Sequence, residues 1–294
     1  MERLRAGRFC AHRASQSFGL PLSDPSPVRL PFRPKQSLGQ NFLHDPNMAE
    51  KIVGTLEASA DAHVVEVGAG TGVLTELLRD RHEHFTALEI DQRAVDVLRE
   101  TYPDVDVRQE DVLETNWPAL AAEHDGPICV ISNMPYYLTS ELLFALLENR
   151  SHVAEAVLTM QKQVAERLVA EPKTKAYGIL SVLLQLFARP TLRYSVPPQV
   201  FKPQPDVSSA VVRITFGEAD GPSDLALDDV RPFVRAAFNQ RRKMLRNSLS
   251  AWVKEQNVDL PHGWNKKRAE ALSPTDFGEL ARYLTARTDS VEGR

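Results

Sequence analysis

Cysteine is almost missing from this chain. Its 294 residues hold two, Cys10 and Cys129, which lie far apart and support neither a disulfide framework nor a metal site. That usage fits a reducing compartment, and a cytoplasmic location is expected. Long apolar runs are missing as well. None approaches the roughly 20 residues that a membrane-spanning helix needs, so no membrane role is expected. An excess of basic residues is the third absence. With a net charge of -4 and a pI near 6.1, any binding of nucleic acid has to come from a local patch. The rest of the composition, 43% hydrophobic and 25% charged, is ordinary for a soluble globular protein. The length allows one large domain and a small one.

The first 34 residues stand apart. They carry Arg3, Arg5, Arg8, Arg13, Arg29 and Arg33 against only Glu2 and Asp24, with prolines and serines between them. Such a composition buries too little apolar surface to fold and reads as a flexible extension. An organelle transit peptide, a flexible bacterial extension and an early start codon would all look like this, and no secretory apolar core is present. Residues 1–34 are therefore placed outside the fold.

From Lys35 onward strands and helices alternate. Asp45-Pro46 reads as a helix start, Asp at the N-cap and Pro in the first turn, running to about Leu56. Short apolar strands follow at Val64–Val67, Phe85–Ile90, Val105–Arg108, the run around Val130, and Ala156–Met160. Between them lie helices carrying Leu74, Leu77 and Leu78, spanning Gln92–Glu100, starting at Thr139, and carrying Val164 and Leu168. Ile179–Phe187 is apolar nearly all round and reads as a buried helix. Leu192–Val196 and Ala210–Phe216 close the sheet across the proline-rich loop Pro197–Pro205. This alternation predicts an α/β domain over residues 35–216, Rossmann-like, with a doubly wound and mostly parallel sheet. Gly217–Pro222 reads as a linker. Beyond it only helical patterns appear, at Val230–Ala237, Lys243–Lys254 and Phe277–Leu284, so residues 217–294 form a small all-α domain.

The stretch most plainly built for chemistry is Ser132-Asn133-Met134-Pro135-Tyr136-Tyr137. Pro135 donates no ladder hydrogen bond and biases Met134 toward an extended conformation, which gives a stiff loop at a strand's carboxyl end. Ligands of open α/β sheets bind there. An amide, a proline and an aromatic in that order suit attack by the exocyclic amine of a base, whose lone pair is delocalised into the ring. Asn133 and a main-chain carbonyl held by the proline can accept both amine protons, and Tyr136 offers a face for stacking, worth ~1–3 kcal/mol per base. An ordinary turn would use the same residue types.

Gly68-Ala69-Gly70-Thr71-Gly72 joins a strand to a helix, so its backbone can approach a ligand closely. A dinucleotide fingerprint wants glycine at the next position, which is Val73 here. Glu89, ending the second strand, is placed to accept both hydroxyls of a ribose. Asp111, after the third strand, can accept from an adenine amine, or simply form a turn. Asp91 is better placed than Glu89 to cap the helix that follows. The set fits S-adenosylmethionine better than a nicotinamide dinucleotide, since a sulfonium needs no pyrophosphate cradle and Glu66 can meet the cationic methionine end. No metal is called for.

From Arg231 to Lys254 the chain has seven Lys or Arg and no Asp or Glu. Phe238, Leu245, Leu249 and Trp252 recur at helical spacing, so Arg241, Arg242, Lys243 and Arg246 are expected on the exposed face of a helix. There they would contact RNA phosphates, with Lys266-Lys267-Arg268 as an extension; a solvated charged face is the alternative.

With Gln40-Asn41-Phe42-Leu43, the glycine loop, Glu89, Asp111 and Asn133-Met134-Pro135-Tyr136, the chain closely resembles the ribosomal RNA adenine dimethyltransferases. More narrowly it resembles the type that dimethylates two adjacent adenosines near the 3′ end of small-subunit ribosomal RNA. The likeness runs from about Lys35 to Leu284 and includes Met160-Gln161-Lys162, Lys175-Ala176-Tyr177-Gly178, Pro197-Pro198-Gln199-Val200-Phe201-Lys202-Pro203 and Ala237-Phe238-Asn239-Gln240-Arg241-Arg242-Lys243. The last block sets it apart from relatives that modify large-subunit RNA. The resemblance implies that Asn41, Leu43, Gly68, Glu89, Asp111 and Asn133 contact the methyl donor, with Gly70 and Gly72 in the same loop. It also implies that Tyr136 and Phe201 sandwich the target adenine. Met134 departs from the family's usual Leu, a volume-conserving change. The substrate implied is ribosomal RNA within a pre-assembled small subunit, met by a monomer. A non-catalytic assembly or transcription accessory protein on the same fold is the second reading. A nucleotide-dependent oxidoreductase is the third, disfavoured by Val73 and the lack of a hydride-transfer acid.

Overall fold

A computed structural model of the chain describes residues 31–35, 39–217 and 225–292. Residues 1–30 of the expected extension and 218–222 of the expected linker lie outside the described residues. In chain order the first half contains β1 (Phe42–Leu43), α1 (Pro46–Val53), β2 (His63–Val67), α2 (Thr75–Leu78), β3 (His84–Glu89), α3 (Gln92–Thr101), β4 (Asp106–Gln109) and α4 (Trp117–Ala122). Then come β5 (Ile128–Ser132), α5 (Thr139–Glu148), β6 (Val153–Gln161), α6 (Lys162–Leu168), α7 (Ile179–Phe187), β7 (Ala188–Val196), β8 (Phe201–Lys202) and β9 (Ser209–Phe216). Helices α8 (Leu227–Asn239), α9 (Leu245–Ser248), α10 (Ser250–Glu255) and α11 (Pro274–Glu292) complete it.

Seven strands form one sheet in the order β4-β3-β2-β5-β6-β9-β7. The first five run parallel, and β9 is antiparallel to both of its neighbours. Strands of a parallel sheet covered on both faces read as continuous apolar runs rather than alternating ones. So it is in β5, where Ile128 and Val130 enter one core while Cys129 and Ile131 enter the other. The strand order reverses between β2 and β5, and a doubly wound sheet opens a crevice at that point, beyond the strands' carboxyl ends.

Local chemistry sets the element ends. Asp45 accepts the Met48 N–H at 2.8 Å and Pro46 needs no partner, so α1 starts where the sequence places it. Asp91 caps α3. Helix α4 has no counterpart in the expected elements, although Asn116 accepts the Ala119 N–H at 3.1 Å and Pro118 stands in the first turn. Strands β1 and β8, two residues each, pair with one another and are too short to show a period.

The helical region differs from expectation at one point. Lys243–Lys254 is not one helix. Gln240–Lys243 form a turn, Met244 is extended and bridges Arg268, and α9 and α10 are separated at Leu249. Residues 31–34, assigned by composition to the extension, meet the fold: the Phe32 ring lies edge-on to Phe42, and Arg93 stacks over Phe32. One apolar core runs without a break from Val65 to Leu284. Its helical side is knit by Tyr177, Phe233, Phe238, Trp252 and Phe277, with ring centroids 5.8–6.2 Å apart.

Candidate active site

The crevice between β2 and β5 is a cleft of about 210 Å³. Its floor is the ends of β2, β3 and β5 with Glu110 and Asp111 after β4, and Gln40–Leu43 close one side. Asn41, Leu43, Glu66, Gly68, Gly70, Glu89, Asp111 and Asn133 all line it, so one space gathers nearly every residue the sequence assigned to a methyl donor. The lining holds four carboxylates, Glu66, Glu89, Glu110 and Asp111, and among the described residues no Lys, Arg or His.

Glu89 is held from both sides by the backbone. Its Oε2 accepts the Gly70 N–H at 2.8 Å and its Oε1 accepts the Asp91 N–H at 2.9 Å. Each oxygen keeps a further acceptor site. Burial, at 6% exposure, pushes its carboxyl up, while those backbone donors pull the other way. Glu66 is buried beneath the glycine loop, where Thr75 Oγ1 donates to it at 2.6 Å. Burial pushes Glu66 up to about 8, against the Thr75 hydrogen bond and with the nearby Glu89 charge adding to it. Asp91 behaves oppositely. The Arg93 guanidinium, helped by Gln40 and Lys35, holds it well below the usual carboxylate range. The Lys35 and Gln40 bonds, at 3.2 and 3.1 Å, also tie the segment before β1 to the head of α3.

Two glycines of the loop are required by close packing. At Gly70 (φ +57) a Cβ would lie 3.0 Å from the Phe42 ring. At Gly72 (φ +85) it would lie 2.7 Å from the Tyr102 ring. Gly72 therefore packs the loop onto α3 and does not line the cleft, which corrects its assignment as a donor contact. Asp111 lines the cleft and also accepts the Leu113 N–H at 3.0 Å, so the ligand and turn readings hold together.

The loop after β5 is stiff, as the proline requires. Ser132 Oγ donates to the Val67 carbonyl at 2.7 Å, which fixes the strand end. Pro135 (φ -58) leads into a single 3-10 turn, Tyr136–Leu138, and its carbonyl accepts the Leu138 N–H at 3.1 Å. The side chain of Asn133 makes no hydrogen bond among the described residues, and it faces the cleft. Tyr136 is half-buried with its hydroxyl 2.6 Å from Ser209 Oγ; burial pushes its pKa up.

Phe201 departs from its expected place. It is 4% exposed, lies opposite Leu43 across the β1–β8 pair and belongs to the core under α1. A ring so enclosed offers no free face for stacking, because pairing with a segment more than 150 positions away covers it. Sequence reasoning also missed Ile90, Leu113 and Tyr137, exposed at 48%, 46% and 57%, all of which line the cleft. The available signal was adjacency: Ile90 follows Glu89, Leu113 follows Asp111 by two, and Tyr137 follows Tyr136.

The family profile described as ribosomal RNA adenine dimethylase matches residues 32–286. The chain belongs to that family. Among curated relatives, a ribosomal RNA small subunit methyltransferase A of Salinibacter ruber is 69% identical over 99% of this chain and 99% of its own length. The protein of the same name in Prosthecochloris aestuarii is 44% identical over 84% of this chain and 92% of its own. Of solved structures, a dimethyladenosine transferase from Plasmodium falciparum superposes with a TM-score of 0.69 at 23% identity, covering 84% of this chain and 98% of that one. The 23S rRNA methyltransferase ErmE gives 0.62 at 25% identity, over 83% and 100%. The fold is that of the methyltransferases that use S-adenosylmethionine, as the resemblance implied.

Within this dimethylase fold the basic residues divide. Arg242, Lys243 and Arg246 are exposed. Arg241 is not on an open helical face: it sits in the turn after α8. Its guanidinium donates to Glu270 Oε2 at 3.1 Å, to the Lys175 carbonyl at 2.9 Å and to the Thr174 carbonyl at 2.7 Å. Three of its five N–H donors are thus given to the fold, which makes it a structural residue first and a weaker candidate for phosphate than Arg242, Lys243 and Arg246.

Proposed function

We propose that this dimethylase transfers methyl groups from S-adenosylmethionine to N6 of two adjacent adenosines near the 3′ end of small-subunit ribosomal RNA. The observation that carries the reading is the cleft itself: four carboxylates and, among the described residues, no cation, ending at Asn133 and the Met134-Pro135 bond. That lining suits a cationic ligand and would repel a pyrophosphate, which speaks against an oxidoreductase. S-adenosylmethionine supplies an electrophilic methyl on a sulfonium. Glu89 takes the ribose hydroxyls on its remaining acceptor sites, Ile90 and Leu113 bracket an adenine whose amine meets Asp111, and Glu66 answers the positive charge.

Asn133 then acts on the target. Its amide oxygen and the Met134 carbonyl accept the two protons of the exocyclic amine, favouring a tetrahedral nitrogen whose lone pair is free. The Pro135 carbonyl is already engaged by Leu138, which leaves the Met134 carbonyl as the main-chain acceptor. Tyr136 holds the extruded base by stacking, its ring plane set by Ser209. Positioning carries the rate, and no charged general base is needed. Residues 35–216 perform transfer and 217–294 hold the RNA. The working form is a cytoplasmic monomer on a pre-assembled small subunit.

The test is incubation of unmethylated small ribosomal subunits with radiolabelled methyl donor, followed by nucleoside mass spectrometry of the 3′ region. Two adjacent N6,N6-dimethyladenosines are expected. Binding without transfer would make the chain an accessory protein, and label in large-subunit RNA alone would overturn the substrate.

A further inference from the structure

Three segments far apart in sequence meet around Arg241. The Lys173 N–H donates to the Glu270 carbonyl at 2.7 Å, and the Tyr177 hydroxyl donates to the Leu272 carbonyl at 2.8 Å. Arg241 joins the same two segments through Thr174, Lys175 and Glu270. Met244 bridges Arg268, and the Leu245 N–H donates to the Lys267 carbonyl at 2.8 Å. The loop Glu171–Tyr177, between α6 and α7, is in this way docked onto both segments that carry the basic residues of the helical region.

The docking has an electrostatic consequence. Lys173 and Lys175 are exposed and form no ion pair among the described residues, and the same is true of Arg242, Lys243, Arg246 and Arg268. Glu270, the acid at the centre, is taken by Arg241. Burial, and after it the nearby Asp276 charge, pushes the Tyr177 hydroxyl up; Asp276 is itself taken by Lys267 and Ser273, and Glu171 stands at the head of the loop. Ordinary exposed cations are interspersed with acids, as Lys267 is with Asp276. Here they are gathered from separate stretches of the chain and left open. Lys173 also sits at φ 71°, a conformation glycine adopts more readily, yet a lysine occupies it.

We propose that the loop Glu171–Tyr177 is a second phosphate-binding element of the RNA surface, presenting Lys173 and Lys175 beside Arg242, Lys243 and Arg246, with Arg241 as the positioning residue that holds it there. The inference rests on the reading of the chain as an enzyme of ribosomal RNA. Charges spread over several segments suit a polyanion whose phosphates repeat along a backbone, because each neutralised phosphate adds a salt-dependent increment to affinity.

The experiment compares wild type with the Lys173→Gln/Lys175→Gln double variant in binding to unmethylated small subunits over a salt series. Donor titration serves as the folding control. Donor affinity should be unchanged, and the slope of log affinity against log salt should shrink by roughly 0.7–0.9 for each phosphate no longer neutralised. KM for subunits should rise while kcat holds. Lys173→Gly, which removes charge and eases the backbone, should melt no lower than wild type and still bind subunits more weakly. In an Arg241→Gln background the two lysine substitutions should alter the slope less than they do in wild type, since the loop then keeps its Lys173 and Tyr177 bonds but loses those to Thr174 and Lys175. Equal affinities and parallel slopes for wild type and double variant would overturn the proposal while leaving the enzymatic reading intact. If wild type itself bound subunits without salt dependence, both would fall.

Discussion

Charge is handled in opposite ways in the cleft and on the basic surface. In the cleft Glu66 and Glu89 are 2% and 6% exposed, and each has a hydrogen-bond donor fixed by the fold on a carboxylate oxygen. On the surface Arg242, Lys243 and Arg246 are exposed and unpaired among the described residues. Buried charge is set by its neighbours and by pH, and salt reaches it weakly. Exposed charge is set by what approaches it, and salt reaches it fully. In the proposed reading one protein binds a small cation and a large polyanion at separate sites, and the net charge of -4 gives no hint of the second.

The largest effect that would sharpen this contrast is at Asn133. Asn133→Ala should lower methyl transfer at least ~10²-fold, the scale of removing one preorganised polar contact, while donor affinity stays within a few-fold. If single-turnover transfer stayed near wild type and donor binding collapsed, the amide would belong to the donor site alone. Glu89→Ala comes next. Calorimetric titration should show donor binding weakened by ~1.5–3 kcal/mol, the value of a hydrogen bond to a charged group, with RNA affinity unmoved. Unchanged donor affinity would remove the ribose assignment.

Arg241 and Arg242 are neighbours that should behave unlike each other. Arg241→Ala leaves Glu270 and two carbonyls without their donor, at a cost of about 1–3 kcal/mol, and should lower the melting temperature by roughly 2–4 °C per kcal/mol. Arg242→Ala should stay within about 0.5 kcal/mol of wild type. Equal melting temperatures for the two variants would return Arg241 to the exposed face.

The smallest effect is a pH dependence. The Glu66 carboxyl, near 8 in the fold against an ordinary carboxylate value near 4.3, keeps a proton that the unfolded chain has already released. Its contribution to stability is therefore full below the ordinary value and disappears as pH rises through about 8. A cationic donor favours the charged form, so donor binding should expel that proton and tighten as pH rises toward 8, by at most about tenfold per pH unit. Titrations in buffers of different ionisation enthalpy should detect the released proton, and Glu66→Gln should abolish it. A pH-independent donor affinity in wild type would mean Glu66 does not meet the positive charge.

Much of the cleft was legible because its residues sit at strand ends in short contiguous motifs. Gly68 to Gly72, Glu89, Asp111 and Asn133 each follow an apolar run, and a doubly wound sheet brings such ends together whatever the details of packing. Other residues depended on partners no local pattern reveals. Phe201 is covered by Leu43, Gly72 is filled against by Tyr102, and Arg241 is claimed by Thr174, Lys175 and Glu270. Ile90, Leu113 and Tyr137 escaped notice because an exposed apolar side chain adds nothing to a periodic pattern. The helix expected over Lys243–Lys254 failed at Met244 for the same kind of reason: its backbone pairs with Arg268 from a different segment.

Salt tests the separation of the two sites most directly. Wild-type protein would be titrated with S-adenosylmethionine and, separately, with unmethylated small subunits, both from about 50 to 200 mM salt, the range over which phosphate binding responds strongly. Donor affinity should change less than about twofold, because screening barely reaches buried carboxylates. Subunit affinity should fall linearly on a log–log plot, with a slope set by the number of phosphates neutralised. A donor affinity that falls as steeply as subunit affinity, or a subunit affinity that does not fall, would contradict the account.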